Sequence, residues 1–180
     1  MSRYFLMQQH NTNQRENRAY NEDFSIAFNI SGKIGSKNDV LYVYDTQGVE
    51  QSRIRQVSYG ILPRFQLLYQ DKYVGSIGFN FAGFNDVIFV RYLNWVITGE
   101  IVSGKYRIRH GRKKLLEVNP VEFPDGLFYQ LDVQNDAQAS VHVAIAALLD
   151  RWGMKKNRSL LKLPTRSTKY KYKMATRIDQ

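Results

Sequence analysis

The sequence predicts a mainly β domain, a shell of antiparallel strands wrapped around one buried helix near the C-terminus. Three observations carry this expectation. Residues 141–149 (VHVAIAALL) hold a single polar side chain, His142. Wound as a helix they are apolar on every side, so protein or lipid must enclose them. A bilayer crossing needs about 20 apolar residues, far more than this run offers. Ahead of it come about ten to twelve short strand-like segments with no helical period between them, which fits a meander and not a βαβ fold. Within that region a unit of strand, short polar turn and strand recurs.

The elements follow in order. Residues 3–8 (RYFLMQ) read as a first strand, and residues 10–19 as a polar loop. Phe24, Ile26 and Phe28 alternate with smaller or polar residues, the period of a half-buried strand. The repeated unit appears as VLYVYD-TQG-VEQSRIRQV (40–57), RFQLLYQ-DK-YVGSIGF (64–79) and KYRIRH-GR-KKLLEV (105–118). Residues 86–102 are rich in β-formers, and a break near Asn94 or Gly99 divides them into two strands. Pro120 and Pro124 mark a loop before the last strand, 127–133. Asn135 or Asp136 suits the helix N-cap, with Gln138 at capping-box spacing from Asn135. Gly153 is the expected stop, with Arg151 near the negative end of the helix dipole. Closing the sheet around the helix would remove exposed strand edges.

Charge divides the chain. Residues 154–180 carry nine Lys/Arg against one acid, while residues 1–153 carry 17 against 15. The expected organisation is a folded domain over 1–153 and a basic tail over 154–180. The near-neutral body argues against nucleic-acid binding by the whole domain on its pI. Zero cysteines exclude disulfides, thiol catalysis and Cys-based zinc sites. The N-terminus lacks a signal-peptide pattern and no stretch has transmembrane length, so the expected location is the cytoplasm, with peripheral membrane attachment as its extension.

In residues 105–114 (KYRIRHGRKK), six of ten residues are basic. Alternation places Lys105, Arg107 and Arg109 on one face and Tyr106 and Ile108 on the other, with Arg112, Lys113 and Lys114 at the turn. Such a face suits lipid or nucleic-acid phosphates, and it also suits a solvated hairpin protected from edge pairing. In the tail, Lys169, Lys171 and Lys173 alternate with Tyr170 and Tyr172. That pattern fits an anionic membrane, single-stranded nucleic acid with stacked tyrosines, or a plain solubilising segment. His10, His110 and His142 share no metal-ligand spacing, and His142 is expected near the barrel mouth with a hydrogen-bond partner. The glycines of residues 75–83 open no helix, so they form no phosphate loop. No activated nucleophile is evident, and no cofactor is called for.

Several motifs occur in a meaningful order: the D-x-x-G turn of Asp45 and Gly48, the strand pair over 65–77, W-x-x-x-G over 95–99 leading to Tyr106-Arg107-Ile108, and A-x-A-A-L-L-D-R over 144–151. Together they resemble the LURP-one-related family of the tubby C-terminal-like superfamily, which also includes phospholipid scramblases. The resemblance spans roughly residues 3–152. It implies a closed barrel of about twelve strands with a hydrophobic helix through its middle. The cysteine clusters of scramblases have no counterpart here, and in place of their acidic calcium-binding segment only Asp132, Asn135 and Asp136 lie nearby. The expectation is a non-enzymatic binding or regulatory module that associates with anionic phospholipid through the 105–114 hairpin and the tail. The rivals are a nucleic-acid-binding module and a barrel that holds a small ligand.

Overall fold

The computed structural model describes residues 1–8, 16–59, 63–79 and 86–159. Twelve antiparallel strands follow one another around a closed barrel. β1 (Ser2–Met7), β2 (Glu16–Tyr20), β3 (Ile26–Gly32) and β4 (Val40–Tyr44) lead to β5 (Glu50–Gln56) and β6 (Arg64–Tyr69). β7 (Lys72–Gly78), β8 (Asp86–Arg91) and β9 (Trp95–Glu100) continue the meander. β10 (Lys105–His110), β11 (Lys113–Phe123) and β12 (Gly126–Val133) complete it. β1 closes the ring by pairing with β12 along its whole length and with β2 at Phe5 and Leu6.

The chain then turns inward. Asn135 caps a single 3-10 turn, Asp136–Gln138, its side-chain oxygen accepting from the Ala137 N–H at 3.3 Å. The helix α1 (Ala139–Ser159) follows. Residues 139–151 are buried without exception, and Ile145 and Leu148 have no exposed surface. Contacts reach the helix and the turn before it from around the ring: Ser52 of β5 donates to the Ser140 carbonyl, Tyr69 of β6 to the Ala137 carbonyl in the 3-10 turn, and Trp95 of β9 stacks on His142. Its segment 141–149, apolar on every side, is stable here because the barrel wall surrounds it. Apart from Phe5 and Phe128, which pack against Phe123, the buried apolar side chains of strands and helix form one continuous cluster.

Close approach explains one glycine. Gly104 has φ +73, and a Cβ there would fall 2.0 Å from Cε1 of the Tyr129 ring. Both the backbone conformation and the space demand a residue without a side chain.

Four expectations from the sequence need correction. Part of the polar stretch 10–19 is a strand, β2, whose inward residues are Asn17 and Ala19. Asn17 is tolerated inside because its amide donates to the Met7 carbonyl at 2.8 Å. Phe24 lies outside β3, in a turn with φ +63, stacked on Phe5 at 5.3 Å. Pro120 belongs to β11 and faces Tyr129 of β12; β10 pairs with β11 only as far as Val118, so the missing N–H interrupts no ladder on that side. Gly153 does not end the helix, which continues to Ser159. Arg151 is therefore interior to α1, and its guanidinium donates to the Gly32 carbonyl at 2.7 Å. Among the described residues, no helix is long and apolar enough to cross a membrane.

Candidate functional site

The β10–β11 hairpin has the alternation its sequence dictates. Tyr106 and Ile108 are buried, while Lys105, Arg107 and Arg109 stand on the outer face. Gly111 and Arg112 make the two-residue turn, with Gly111 at φ +58. A bulge between Ile108 and Arg109 brings Arg109 opposite Lys114 and lets both Leu115 and Leu116 point inward.

The six basic residues divide into two groups. Arg107 Nε donates to Glu117 Oε1 at 3.0 Å, and Lys114 Nζ to Glu117 Oε2 at 2.6 Å. Lys114 first, and Arg107 with it, hold the Glu117 carboxyl below the usual range. Lys105, Arg109, Arg112 and Lys113 are exposed and form no ion pair among the described residues. The unpaired charge thus sits on the outer edge of β10 and at the hairpin tip. Lys169, Lys171 and Lys173 lie outside the described residues.

Glu117 belongs to a longer row. Register places Arg107, Glu117, Asp132 and Arg3 side by side on β10, β11, β12 and β1. Arg3 Nε meets Asp132 Oδ1 at 2.7 Å, so each acid has a basic neighbour. The polar residues before the helix therefore have structural duties. Asp132 also accepts from Gln130, Asn135 caps the helical turn, and Asp136 accepts from the Tyr4 hydroxyl. Among the described residues no group of three His, Asp or Glu side chains is placed to hold a metal ion.

His142 differs from its sequence expectation. It is wholly buried, and neither ring nitrogen has a hydrogen-bond partner among the described residues. Burial lowers its pKa to about 4, so the ring is neutral at physiological pH. Its role is to pack, face to face, on the Trp95 indole. Trp152 at the other end of the buried segment packs similarly on Phe79, at 4.5 Å. His110 is exposed at the hairpin tip, and His10 lies outside the described residues.

The sequence reading missed two further exposed arginines on the outer surface, Arg91 of β8, two strands from β10, and Arg64 of β6, four strands from it. Strand alternation could have placed Arg64 outside, opposite Phe65 and Leu67. It could not do so for Arg91, because residues 86–91 (DVIFVR) are apolar on both faces.

No family model matches the chain. An uncharacterised protein of Bacillus subtilis, YxjI, is 24% identical over 131 residues, covering 73% of this chain and 81% of YxjI. The X-ray structure of an Arabidopsis thaliana protein, AT5G01750, superposes with a TM-score of 0.54 at 10% identity, covering 83% of this chain and 91% of that one. At such identity the likeness extends to architecture alone. What the two chains share is the overall fold, which in this chain is the closed twelve-stranded barrel with its C-terminal helix.

Proposed function

We propose that this protein is a non-enzymatic binding or regulatory module of the LURP-one-related, tubby-like type, which associates with anionic phospholipid through the β10–β11 hairpin. The observation that carries the reading is the set of four exposed cations without ion pairs among the described residues, Lys105, Arg109, Arg112 and Lys113, on one hydrogen-bonded hairpin. Each basic residue held near an anionic membrane contributes about 1 kcal/mol to attachment. A rigid strand pair presents these charges at little ordering cost. The tail residues Lys169, Lys171 and Lys173 supply a second, tethered contact that raises avidity. The interior supports the same choice over a carrier, since Ala144, Ile145 and Leu148 fill the space a ligand-holding barrel leaves open.

Co-sedimentation with vesicles containing phosphatidylserine tests the reading. Replacing Lys105, Arg109, Arg112 and Lys113 together by Gln is expected to release most of the bound protein. Undiminished binding by that variant would remove the hairpin from the function. Tight, salt-sensitive binding to single-stranded DNA, with none to vesicles, would assign the surface to nucleic acid.

A further inference from the structure

A groove of about 540 Å³ crosses the outer surface of β6–β9, beside the hairpin. Cross-strand register explains how it arises. Arg64, Gly78, Phe89, Val96 and Arg109 form one row across β6, β7, β8, β9 and β10. Every member of that row but Gly78 has a side chain, and a Cβ at Gly78 would meet nothing within 4 Å. The missing side chain leaves a trough between Arg64 and Phe89. Arg91 faces Ser76 in the adjoining row, and both line the trough. With strands about 4.8 Å apart and residues about 3.4 Å apart, the Arg64 and Arg91 backbones are about 12 Å from one another, a gap two extended arginine side chains close. The β8–β9 turn, with Tyr92 and Asn94 both at positive φ, adds Asn94 to the lining.

The chemistry of the lining is one-sided. None of the described residues that line it is acidic. Neither Arg64 nor Arg91 has an ion pair among the described residues. Beside these charges Phe89 is 54% exposed and Val87 41% exposed, on the solvent face of β8, and Tyr92 at the adjoining turn is 76% exposed. Guanidinium pairs with hydroxyl and amide neighbours suit a phosphate group carrying two charges. An apolar rim next to such a group suits the boundary between headgroups and acyl chains. The exposed Phe89 ring has Val87 and Val96 as its neighbours on the outer face, and such a continuous apolar surface suits entry among lipid chains.

We propose that this groove binds the terminal phosphate monoester of a phospholipid headgroup, between Arg64 and Arg91, with Phe89 and Val87 entering the bilayer surface. This deepens the phospholipid reading above and rests on it. It adds a headgroup site to what would otherwise be diffuse attraction. The row through Val96 to Arg109 joins that site to the hairpin as one membrane-facing surface.

The test uses the full chain and the charge-preserving variant Gly78→Ile, which fills the trough with a residue suited to a strand. The probes are phosphatidylcholine vesicles carrying either phosphatidic acid or phosphatidylserine at equal anionic fraction. Wild type is expected to prefer phosphatidic acid. Gly78→Ile is expected to lose about tenfold of that affinity while keeping its phosphatidylserine binding, as loss of a charge-assisted contact implies. Arg64→Gln with Arg91→Gln should lose at least as much phosphatidic acid affinity, and part of the phosphatidylserine binding with it, because two charges leave the same surface. Equal phosphatidic acid binding by Gly78→Ile and wild type would overturn the groove and leave the hairpin reading standing. NMR titration with soluble dihexanoyl phosphatidic acid separates the two claims. Shifts at residues 76–78 and 89–91 that vanish in Gly78→Ile support the groove even if vesicles are not bound, and their absence in a folded wild type overturns it.

Discussion

The imidazole of His142 lies face to face with the Trp95 indole, ring centroids 4.9 Å apart and planes 13° apart. The contact joins the helix to the barrel wall and takes both groups out of water. A buried imidazole without hydrogen-bond partners resists protonation, because the charged form loses its hydration and gains nothing.

That burial makes stability depend on pH. The folded-state pKa is about 4, against the ordinary 6.5. Between these values the unfolded chain takes up a proton that the folded chain refuses, so stability rises with pH. The contribution is fully present above about pH 6.5 and is lost as pH falls toward about pH 4, amounting to roughly 3 kcal/mol. Urea unfolding of wild type and His142→Phe, at about pH 4.5 and about pH 7.5, should show the variant gaining relative stability in acid. A wild-type-to-variant difference that ignores pH would contradict the assignment.

The centre of the helix should be the most costly place to create a cavity. Ile145→Ala and Leu148→Ala remove fully buried side chains and should each cost about 2–5 kcal/mol by denaturant unfolding. Losses below about 1 kcal/mol at both positions would deny that the barrel encloses this helix.

Two glycines with similar backbones should respond differently to alanine. Gly104 and Gly48 have φ +73 and +80, but a Cβ at Gly104 would collide with Tyr129 while one at Gly48 meets open space. Gly48→Ala should cost about 1 kcal/mol of backbone strain. Gly104→Ala adds the clash and should lower the melting temperature clearly further. Equal shifts would mean that the Tyr129 contact does not constrain the chain.

Removing an acid should strengthen membrane attachment. Glu117 engages Arg107 and Lys114, so Glu117→Gln frees both and raises local charge by one. At about 1 kcal/mol per charge, affinity for phosphatidylserine vesicles should rise about fivefold. An unchanged affinity would place this part of the hairpin away from the bilayer.

Much of this architecture could be read from the residues. The apolar run of 141–149 forces enclosure, and alternation in KYRIRH orients each side chain of β10. What was hidden depends on partners distant in sequence. Strand β2 escaped notice because its inward Asn17 is satisfied by the Met7 carbonyl, so no apolar alternation marks it. Pro120 sits in a strand because β10 stops pairing at Val118, which only register shows. The partial neutralisation of the hairpin by Glu117 and the trough at Gly78 likewise follow from register, not from local pattern. Among the candidate cations, exposure was legible from alternation, whereas freedom from ion pairs was not.

The central claim is that the outer basic surface meets anionic lipid. Its most direct test is co-sedimentation of the full chain with neutral and with anionic vesicles across a salt series. Screening acts over about 8 Å at physiological ionic strength, so contacts of this kind weaken as salt rises. The expected result is retention by anionic vesicles that falls steadily with salt, and no retention by neutral ones. Equal retention by both kinds, or none by either at low salt, would contradict it.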